Sequence, residues 1–209
     1  MDEVDSVATM FVRLSRPLIK GWPRPSLTDP IVRAALLLDL ALLGRLTPAE
    51  SSVEVNVDPT GSAATDQLLN AVADGPSRQL SWWLDNAPVG VRDVADDLVS
   101  HRLWQRHGLR RQYTELDPAS ASVQLAAISS ATASHSPTGA SALAVAALMQ
   151  LLPAFGADGG RTAVELASEC GDATWLAVEL IGELARRRSE LDSVSKASSA
   201  SDVLNSILY

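Results

Sequence analysis

Residues 29–46 read DPIVRAALLLDLALLGRL, and this stretch decides the fold. Asp29 and Pro30 predict a helix N-cap followed by a proline at the first helical position, and Gly44 predicts the end of the helix. Between these residues, apolar side chains occupy every face of the predicted helix. A helix that is apolar all round is buried on all sides, so the sequence predicts a central helix around which the chain packs.

The flanking sequence predicts further helices and two small β elements. Apolar residues before Pro17 predict one helix, and three prolines within residues 21–30 predict a loop. The alternating stretch SVEVNV at residues 52–57 predicts a short strand, and residues 103–106 and 109–116 predict a hairpin. Helical patterns cover residues 63–73, the segment that contains Trp82 and Trp83, 89–104, 122–133, 137–155, 161–187 and 202–208, with a serine-rich linker predicted at 189–201.

These elements predict a mainly α protein, a single-domain helical bundle around a central apolar helix with one or two small β-hairpins. Apolar residues make up 46% of the chain, which is enough to fill one sizeable core. Residues 1–28 are predicted to form an N-terminal extension and loop, and residues 29–209 the helical domain.

The overall charge argues against a dedicated nucleic-acid-binding protein. Lys and Arg number 17 and Asp and Glu 25, so the net charge is −8 and no basic footprint is present. A winged-helix nucleic-acid binder is the weaker alternative, because residues 89–116 predict a helix followed by a hairpin. Five arginines and five acidic residues give residues 89–118 no net charge, so nucleic acid is not expected as a partner.

The sequence predicts a cytoplasmic protein. No stretch reaches the ~18 to 20 apolar residues of a membrane-spanning helix, and the opening MDEVDSV is acidic where a signal peptide would be basic. Peripheral attachment to the inner face of a membrane is left open. The single cysteine, Cys170, excludes an intrachain disulfide.

The sequence lacks the residue patterns of the common enzyme motifs. None of GxSxG, GxxxxGK[ST], GxGxxG or HExxH occurs. His101 and His107 are six residues apart across a predicted helix end and His135 is distant, a spacing that does not favour shared metal ligation. We predict no catalytic residue, no metal site and no cofactor, and therefore a protein that is not an enzyme.

Arg33 is the charged residue that most needs an explanation. It falls in the first turn of the predicted central helix, where a cation opposes the positive end of the helix dipole. One interpretation is a salt bridge to an acidic side chain, with the aliphatic stem along the core. The other is that Arg33 and the free N–H groups of the first turn bind an anion, most naturally a phosphate. Trp22 and Arg24, just upstream, would form the rim of this ligand-binding site.

Two stretches resemble the Golgi phosphoprotein 3 family. Residues 35–46, ALLLDLALLGRL, preceded by Arg33, are similar to the family's signature helix, whose pattern is close to L-R-x-x-x-L-x-E-L-A-L-x-G-R-L. Residues 89–118 are similar to the family's next block, a helix followed by a hairpin, and the order and separation of the blocks match. The resemblance implies a mostly α-helical domain without enzymatic activity. It also implies that eukaryotic members bind phosphatidylinositol 4-phosphate at a membrane surface and engage partner proteins.

The family's headgroup site carries over only in part. In the relatives a tryptophan, the arginine of the signature helix and two arginines of a later helix hold the headgroup. The resemblance makes Arg33 the signature arginine and puts Trp22 a couple of residues from the tryptophan position, where Arg24 stands. The later pair is missing, because no lysine or arginine occurs between Arg111 and Arg161. The alanine-rich composition indicates a divergent, bacterial-type member.

We therefore expect a non-enzymatic peripheral membrane module that binds an anionic phospholipid headgroup through Arg33, with Trp22 and Arg24 beside it. The alternative is a soluble protein-interaction scaffold that has kept the fold and lost lipid binding, and its partner would be another protein. The missing arginines and the net charge of −8 favour this alternative. Neither interpretation fixes an oligomeric state.

Overall fold

The computed structural model describes residues 6–15, 25–50, 52–75, 78–108, 112–133, 139–152 and 161–207, with side chains except at 25–27, 131–133, 192 and 194–207. These residues form nine α-helices and two antiparallel strand pairs, so the predicted mainly α fold with small hairpins is confirmed. The helices are α1 Val7–Ser15, α2 Pro25–Leu42, α3 Ala63–Asp74, α4 Leu80–Asn86, α5 Val91–Ser100, α6 Pro118–Ala133, α7 Ala140–Met149, α8 Ala163–Ala167 and α9 Thr174–Ile207. The strands are β1 Leu46–Pro48, β2 Val53–Val55, β3 Trp104–His107 and β4 Gln112–Glu115.

Helix α2 is the centre of the fold, as the sequence predicts. Its apolar residues from Ile31 to Ala41 are buried, and it packs against α1, α3, α4, α5, α7 and α9. Gly44 ends the helix with a φ of +64°. The N–H groups of Gly44 and Arg45 donate to the carbonyls of Ala41 and Leu40 at 3.0 and 2.8 Å. A left-handed residue with these two bonds is a Schellman motif, which glycine adopts without strain.

The beginning of α2 differs from the prediction. The helix starts at Pro25 and continues through Pro30, whereas the sequence pattern places the first helical position at Pro30. Pro25 and Pro30 both suit a first helical position, because the N–H that proline lacks would have no partner there. In the structure Pro25 occupies this position and Pro30 lies inside the helix. Asp29 is therefore a residue of the helix and not its N-cap.

Helix α1 is part of the hydrophobic core. Val7, Phe11 and Val12 are at most 1% exposed, and the helix packs against α2, α5 and α7. Asp39 of α2 accepts the N–H groups of Val7 and Ala8 at 2.6 and 3.0 Å, so its carboxylate caps the start of α1. The predicted helix before Pro17 is thus confirmed, and the division of the chain at residue 28 stays a prediction.

Both predicted β elements are present as hairpins. Strand β1 pairs with β2, and β3 pairs with β4 with Trp104 opposite Glu115. Trp104 and Tyr113 turn into the core, with ring centroids 5.7 Å apart. Helix α5 and this second hairpin form the arrangement on which the winged-helix alternative rests, and the nucleic-acid function itself stays a prediction.

The C-terminal part departs from the prediction at two places. The helix predicted over residues 161–187 is interrupted, because α8 ends at Ala167 and α9 begins only at Thr174, after Gly171 with its φ of +60°. Residues 189–201 are predicted to be a linker, but α9 continues through them to Ile207. Serine lowers helix propensity only slightly, and no proline or glycine follows Gly182 within the helix, so nothing interrupts it. The three arginines at 186–188 consequently lie inside α9. Among the described helices, none has the length and apolar character needed to cross a membrane.

Candidate functional site

Arg33 lies in the third turn of α2, more than one turn further into the helix than predicted, because the helix begins at Pro25. At a rise of about 1.5 Å per residue, it stands roughly 12 Å from the start of the helix. The free N–H groups of the first turn therefore do not surround one anion together with Arg33, and this part of the sequence interpretation is wrong. Arg33 as a ligand-binding residue stays a prediction.

The guanidinium of Arg33 holds three carbonyl groups between α4 and α5. Its Nε donates to the carbonyl of Val89 at 2.7 Å, and its Nη1 donates to the carbonyls of Leu84 and Asp85 at 2.8 and 2.7 Å. Leu84 and Asp85 lie in the last turn of α4, whose carbonyls have no partner within the helix. A cation at this end also complements the negative end of the helix dipole. Arg33 thus bonds to carbonyls where the sequence suggested a carboxylate.

One turn before Arg33, Asp29 has the matching role at the start of α5. Gly90, the N-cap of α5, has no side chain that could accept an N–H, and Oδ1 of Asp29 instead accepts the N–H of Val91 at 3.0 Å. Asp93 completes the cap by accepting the N–H of Gly90 at 2.7 Å. A Cβ at residue 90 would lie 2.7 Å from Oδ1 of Asp29, so glycine is required for this close approach.

Asp29 and Arg33 act as a pair because residues four apart share one face of a helix. The carboxylate lies at the positive end of α5 and the guanidinium at the negative end of α4, so both helix dipoles are complemented. The pair fixes the connection between α4 and α5 on the central helix. The sequence contains the signal, an acid and a base four residues apart on an apolar helix. Asp29 was missed because it was assigned as the cap of its own helix.

One edge of the Arg33 guanidinium has no partner among the described residues. Its Nη2 donates to no described residue, and no carboxylate of the described residues contacts the group. The residue is partly exposed. Three carbonyl dipoles orient the cation but do not cancel its charge, so within the described part of the chain one pair of its N–H donors has no partner.

The other two predicted ligand-binding residues, Trp22 and Arg24, lie outside the described residues. Helix α4 itself carries an aromatic pair that the sequence analysis left without a role. Trp82 and Trp83 meet edge to face with centroids 4.8 Å apart, and Trp83 is buried whereas Trp82 is partly exposed. The guanidinium of Arg78 lies 3.7 Å from the centroid of the Trp82 ring, a cation–π contact.

A second arginine reaches α4 from α9. Nη2 of Arg187 donates to the carbonyl of Ser81 and to Oδ2 of Asp85, both at 3.1 Å, and Nη1 donates to the other carboxylate oxygen of Asp85. Its Nε donates to Glu183 at 2.8 Å. No local pattern in the sequence predicts this contact, because 102 residues separate Arg187 from Asp85.

The described residues offer little to metal or thiol chemistry. No group of three His, Cys, Asp or Glu side chains among them could hold a metal ion. Burial raises the pKa of the Cys170 thiol to about 12, and the charge of Glu169 acts in the same direction. This thiol is therefore protonated at neutral pH and a poor nucleophile. That the protein has no catalytic residue, metal or cofactor stays a prediction.

One class of α-helical domain has this architecture. It consists of a central helix that carries an arginine, a later helix followed by a hairpin, and a surrounding bundle of helices. The sequence model of the family described as Golgi phosphoprotein 3 (GPP34) matches residues 20–198, nearly the whole chain. The chain therefore belongs to the Golgi phosphoprotein 3 family, and the resemblance found in the sequence is confirmed. This family is not known as an enzyme family. A comparison with curated proteins finds no match.

Proposed function

We propose that this protein is a non-enzymatic peripheral membrane protein that binds a phosphate-bearing lipid headgroup of the phosphatidylinositol 4-phosphate type through Arg33. The observation that carries the proposal is the state of the Arg33 guanidinium. Three carbonyls fix its orientation, whereas no described carboxylate contacts it. Membership of the Golgi phosphoprotein 3 family supports the same function. The proposed location is the inner face of a membrane.

The hydrogen bonds of Arg33 fix the orientation of its guanidinium before a ligand binds. An arginine that is free in solution loses side-chain entropy when it is ordered by a ligand, and this loss weakens binding. In this protein Nε and Nη1 are already held by Val89, Leu84 and Asp85, so Nη2 points in a fixed direction before any ligand arrives. A charge-assisted hydrogen bond from such a group to a phosphate contributes about 1.5 to 3 kcal/mol.

The net charge of −8 decides which surfaces the protein can approach. An anionic bilayer repels the protein as a whole, because both are negatively charged. Without a phosphate monoester, such a bilayer contains only weak hydrogen-bond acceptors for Arg33. A phosphate monoester carries a charge near −2 and three acceptor oxygens, which favour a direct contact with the guanidinium. Trp22 and Arg24 remain the proposed rim of this contact. We therefore expect headgroup binding that weakens as the salt concentration rises.

Vesicle flotation tests the proposal. We expect the protein to float with phosphatidylcholine vesicles that contain phosphatidylinositol 4-phosphate and not with vesicles that contain phosphatidylinositol alone. Arg33→Lys keeps the positive charge but loses the planar fork, and it should lower the affinity by about 10- to 100-fold. Arg45→Gln is the matched control. It also removes one arginine contact, at the opposite end of α2, where Arg45 pairs with Asp58, and should leave flotation unchanged.

Thermal unfolding separates a lost ligand contact from a lost fold. The soluble headgroup glycerophosphoinositol 4-phosphate should raise the melting temperature of the unchanged protein and not that of Arg33→Lys. Flotation that does not distinguish the two vesicle types, together with no thermal shift from the headgroup, would rule out lipid binding.

A protein-interaction scaffold is the second candidate function. It is favoured by the carbonyl bonds of Arg33, which give this residue a structural role without any ligand, and by the net charge of −8. Under this hypothesis Arg33→Lys lowers the melting temperature, while neither the headgroup nor the vesicles bind the unchanged protein. The two candidate functions therefore predict opposite results in the same pair of measurements.

A further inference from the structure

Arg33 and Arg187 approach the same residue from two different helices. Nη1 of Arg33 donates to the backbone carbonyl of Asp85 at 2.7 Å, and both Nη atoms of Arg187 donate to the Asp85 carboxylate. One guanidinium is supplied by α2 and the other by α9, and both contact the last turn of α4. Two arginines therefore bond to one residue, Arg33 to its backbone carbonyl and Arg187 to its carboxylate.

The Asp85 carboxylate is the exposed member of this group. The Asp85 side chain is 54% exposed, whereas that of Arg187 is 21% exposed. Arg187 also donates hydrogen bonds to the carbonyl of Ser81 and to Glu183. The arginine is thus anchored without Asp85. Glu183 is shared with Arg186, which has a further acidic partner in Glu190.

The Asp85 carboxylate is exposed, so a stronger ligand can replace it on the largely buried Arg187. An ion pair that solvent screens changes an equilibrium constant by about fivefold at most. A phosphate monoester has nearly twice the charge of a carboxylate and three acceptor oxygens, and it accepts two parallel bonds from one arginine. Arg33 and Arg187 are both bonded to Asp85, so a phosphate that replaces the Asp85 carboxylate on Arg187 binds next to the residue that Arg33 holds.

We propose that Arg187 is the second arginine of the phosphate site and that Asp85 is an internal competitor, which occupies Arg187 until a phosphate monoester headgroup displaces its carboxylate. The inference rests on the proposed function, since it assumes that a phosphate binds at Arg33. It gives the site two guanidinium groups from two helices and a built-in acid that disfavours weak anions. Binding of the headgroup would release the Asp85 side chain into solvent.

Direct titration with glycerophosphoinositol 4-phosphate, and flotation with vesicles that contain phosphatidylinositol 4-phosphate, test this inference. Asp85→Asn removes the competing charge and should tighten binding by about three- to fivefold. Asp58→Asn changes the net charge by the same amount at an exposed position beside Arg45, and it should have no effect. Inorganic phosphate provides a third arm. If it competes as well as the headgroup, the site recognises the phosphate monoester itself and not the lipid.

Removal of the second cation should act in the opposite direction. Arg187→Gln should weaken headgroup binding by about tenfold or more, with Arg187→Lys as the milder variant that keeps the charge on α9. Arg186→Gln is the matched control, because Arg186 is the neighbouring residue and pairs with Glu183 and Glu190 on its own helix. It should bind the headgroup like the unchanged protein.

The outcomes separate this inference from the proposed function. Unchanged affinities of Asp85→Asn and Arg187→Gln, with a loss of binding in Arg33→Lys, would overturn the role of Arg187 and leave the function of Arg33 intact. Absence of headgroup binding in the unchanged protein and in Asp85→Asn would overturn both. Tighter binding by Asp85→Asn with weaker binding by Arg187→Gln supports the two-arginine site.

Discussion

Two arginines that reach into this protein have opposite surroundings. The side chain of Arg13 in α1 is fully buried, and its Nε and Nη2 donate to the two carboxylate oxygens of Glu115 at 3.2 and 3.0 Å. Gln124 and the carbonyl of Asp117 accept its other donors. Arg33 in α2 is partly exposed, and its described partners are all carbonyls.

The positive charge of Arg13 is neutralised by the Glu115 carboxylate, whereas no described carboxylate neutralises that of Arg33. A buried cation costs several kcal/mol unless an anion and further hydrogen bonds compensate it, and Arg13 has both. Glu115 also accepts the indole N–H of Trp104, so the network joins α1 to the second hairpin. Water reaches Arg33, so its charge needs no anion from the protein. We infer that the Arg13 network serves stability and the Arg33 site serves binding.

The largest expected effect comes from breaking the Arg13 network. Arg13→Met leaves the Glu115 carboxylate without its cation in a mostly buried place, and we expect it to lower the free energy of unfolding by about 3 to 5 kcal/mol. Urea denaturation measures this loss. The double variant Arg13→Met, Glu115→Gln should recover part of it, because the uncompensated charge is gone. A loss below about 1 kcal/mol would show that the pair contributes no more than an exposed one.

The sequence predicted the central helix and the hairpins because local patterns determine them. The apolar run of α2 and the glycine that follows it are local signals, and the alternation of residues 52–57 is a local signal for β2 at Val53–Val55. The partners of the charged residues could not be predicted in this way. Arg13 is 102 residues from Glu115, and Arg33 is more than 50 from the carbonyls it holds. Such pairings depend on how the helices pack, which no spacing in the sequence reveals.

The start of α2 shows a second limit of the sequence. Pro25 and Pro30 both satisfy the rule for the first helical position, and the pattern contains nothing that decides between them. The choice moved Arg33 by more than one turn, away from the N–H groups with which it was predicted to share an anion, and its partners are carbonyls of α4 and of Val89. When the start of a helix is placed wrongly, the predicted partners of the residues near that start are wrong as well.

Asp39 adds a third case to this comparison, because it is a fully buried ionisable group whose partners are backbone N–H groups. Burial raises its pKa from 3.8 to about 7, against the hydrogen bonds from Ala8, Val7 and Ser6, which lower the pKa. Between these two values the folded protein keeps a proton that the unfolded chain has released. The contribution of Asp39 to stability is therefore present below about pH 4 and is lost as the pH rises through 7.

The difference in unfolding free energy between the unchanged protein and Asp39→Asn measures this contribution. We expect the difference to change between pH 5 and 7 with a slope of up to about 1.4 kcal/mol per pH unit, to the disadvantage of the unchanged protein at higher pH. Above pH 8 it should be constant. A difference that does not vary over this range would mean that Asp39 is ionised throughout, with its charge tolerated in the core by the N–H groups of α1.

The smallest expected effect on stability concerns the Arg33 region itself. Gly90→Ala places a Cβ 2.7 Å from Oδ1 of Asp29, so Asp29 or the start of α5 must shift. We expect a loss of about 1 to 3 kcal/mol, the usual range for overpacking. Gly182→Ala is the matched control, because nothing lies within 4 Å of its Cβ and alanine favours a helix by about 0.5 to 1 kcal/mol.

Headgroup binding by these variants decides whether the two arginine regions have separate roles. Gly90→Ala disturbs the segment whose Val89 carbonyl orients Arg33, so the folded variant should bind glycerophosphoinositol 4-phosphate more weakly. The folded fraction of Arg13→Met should bind the headgroup like the unchanged protein, although that variant loses more stability. If both variants lose binding in proportion to their loss of stability, binding reports only the folded fraction and the separation fails. Weaker binding by the more stable of the two variants can arise only from the geometry around Arg33.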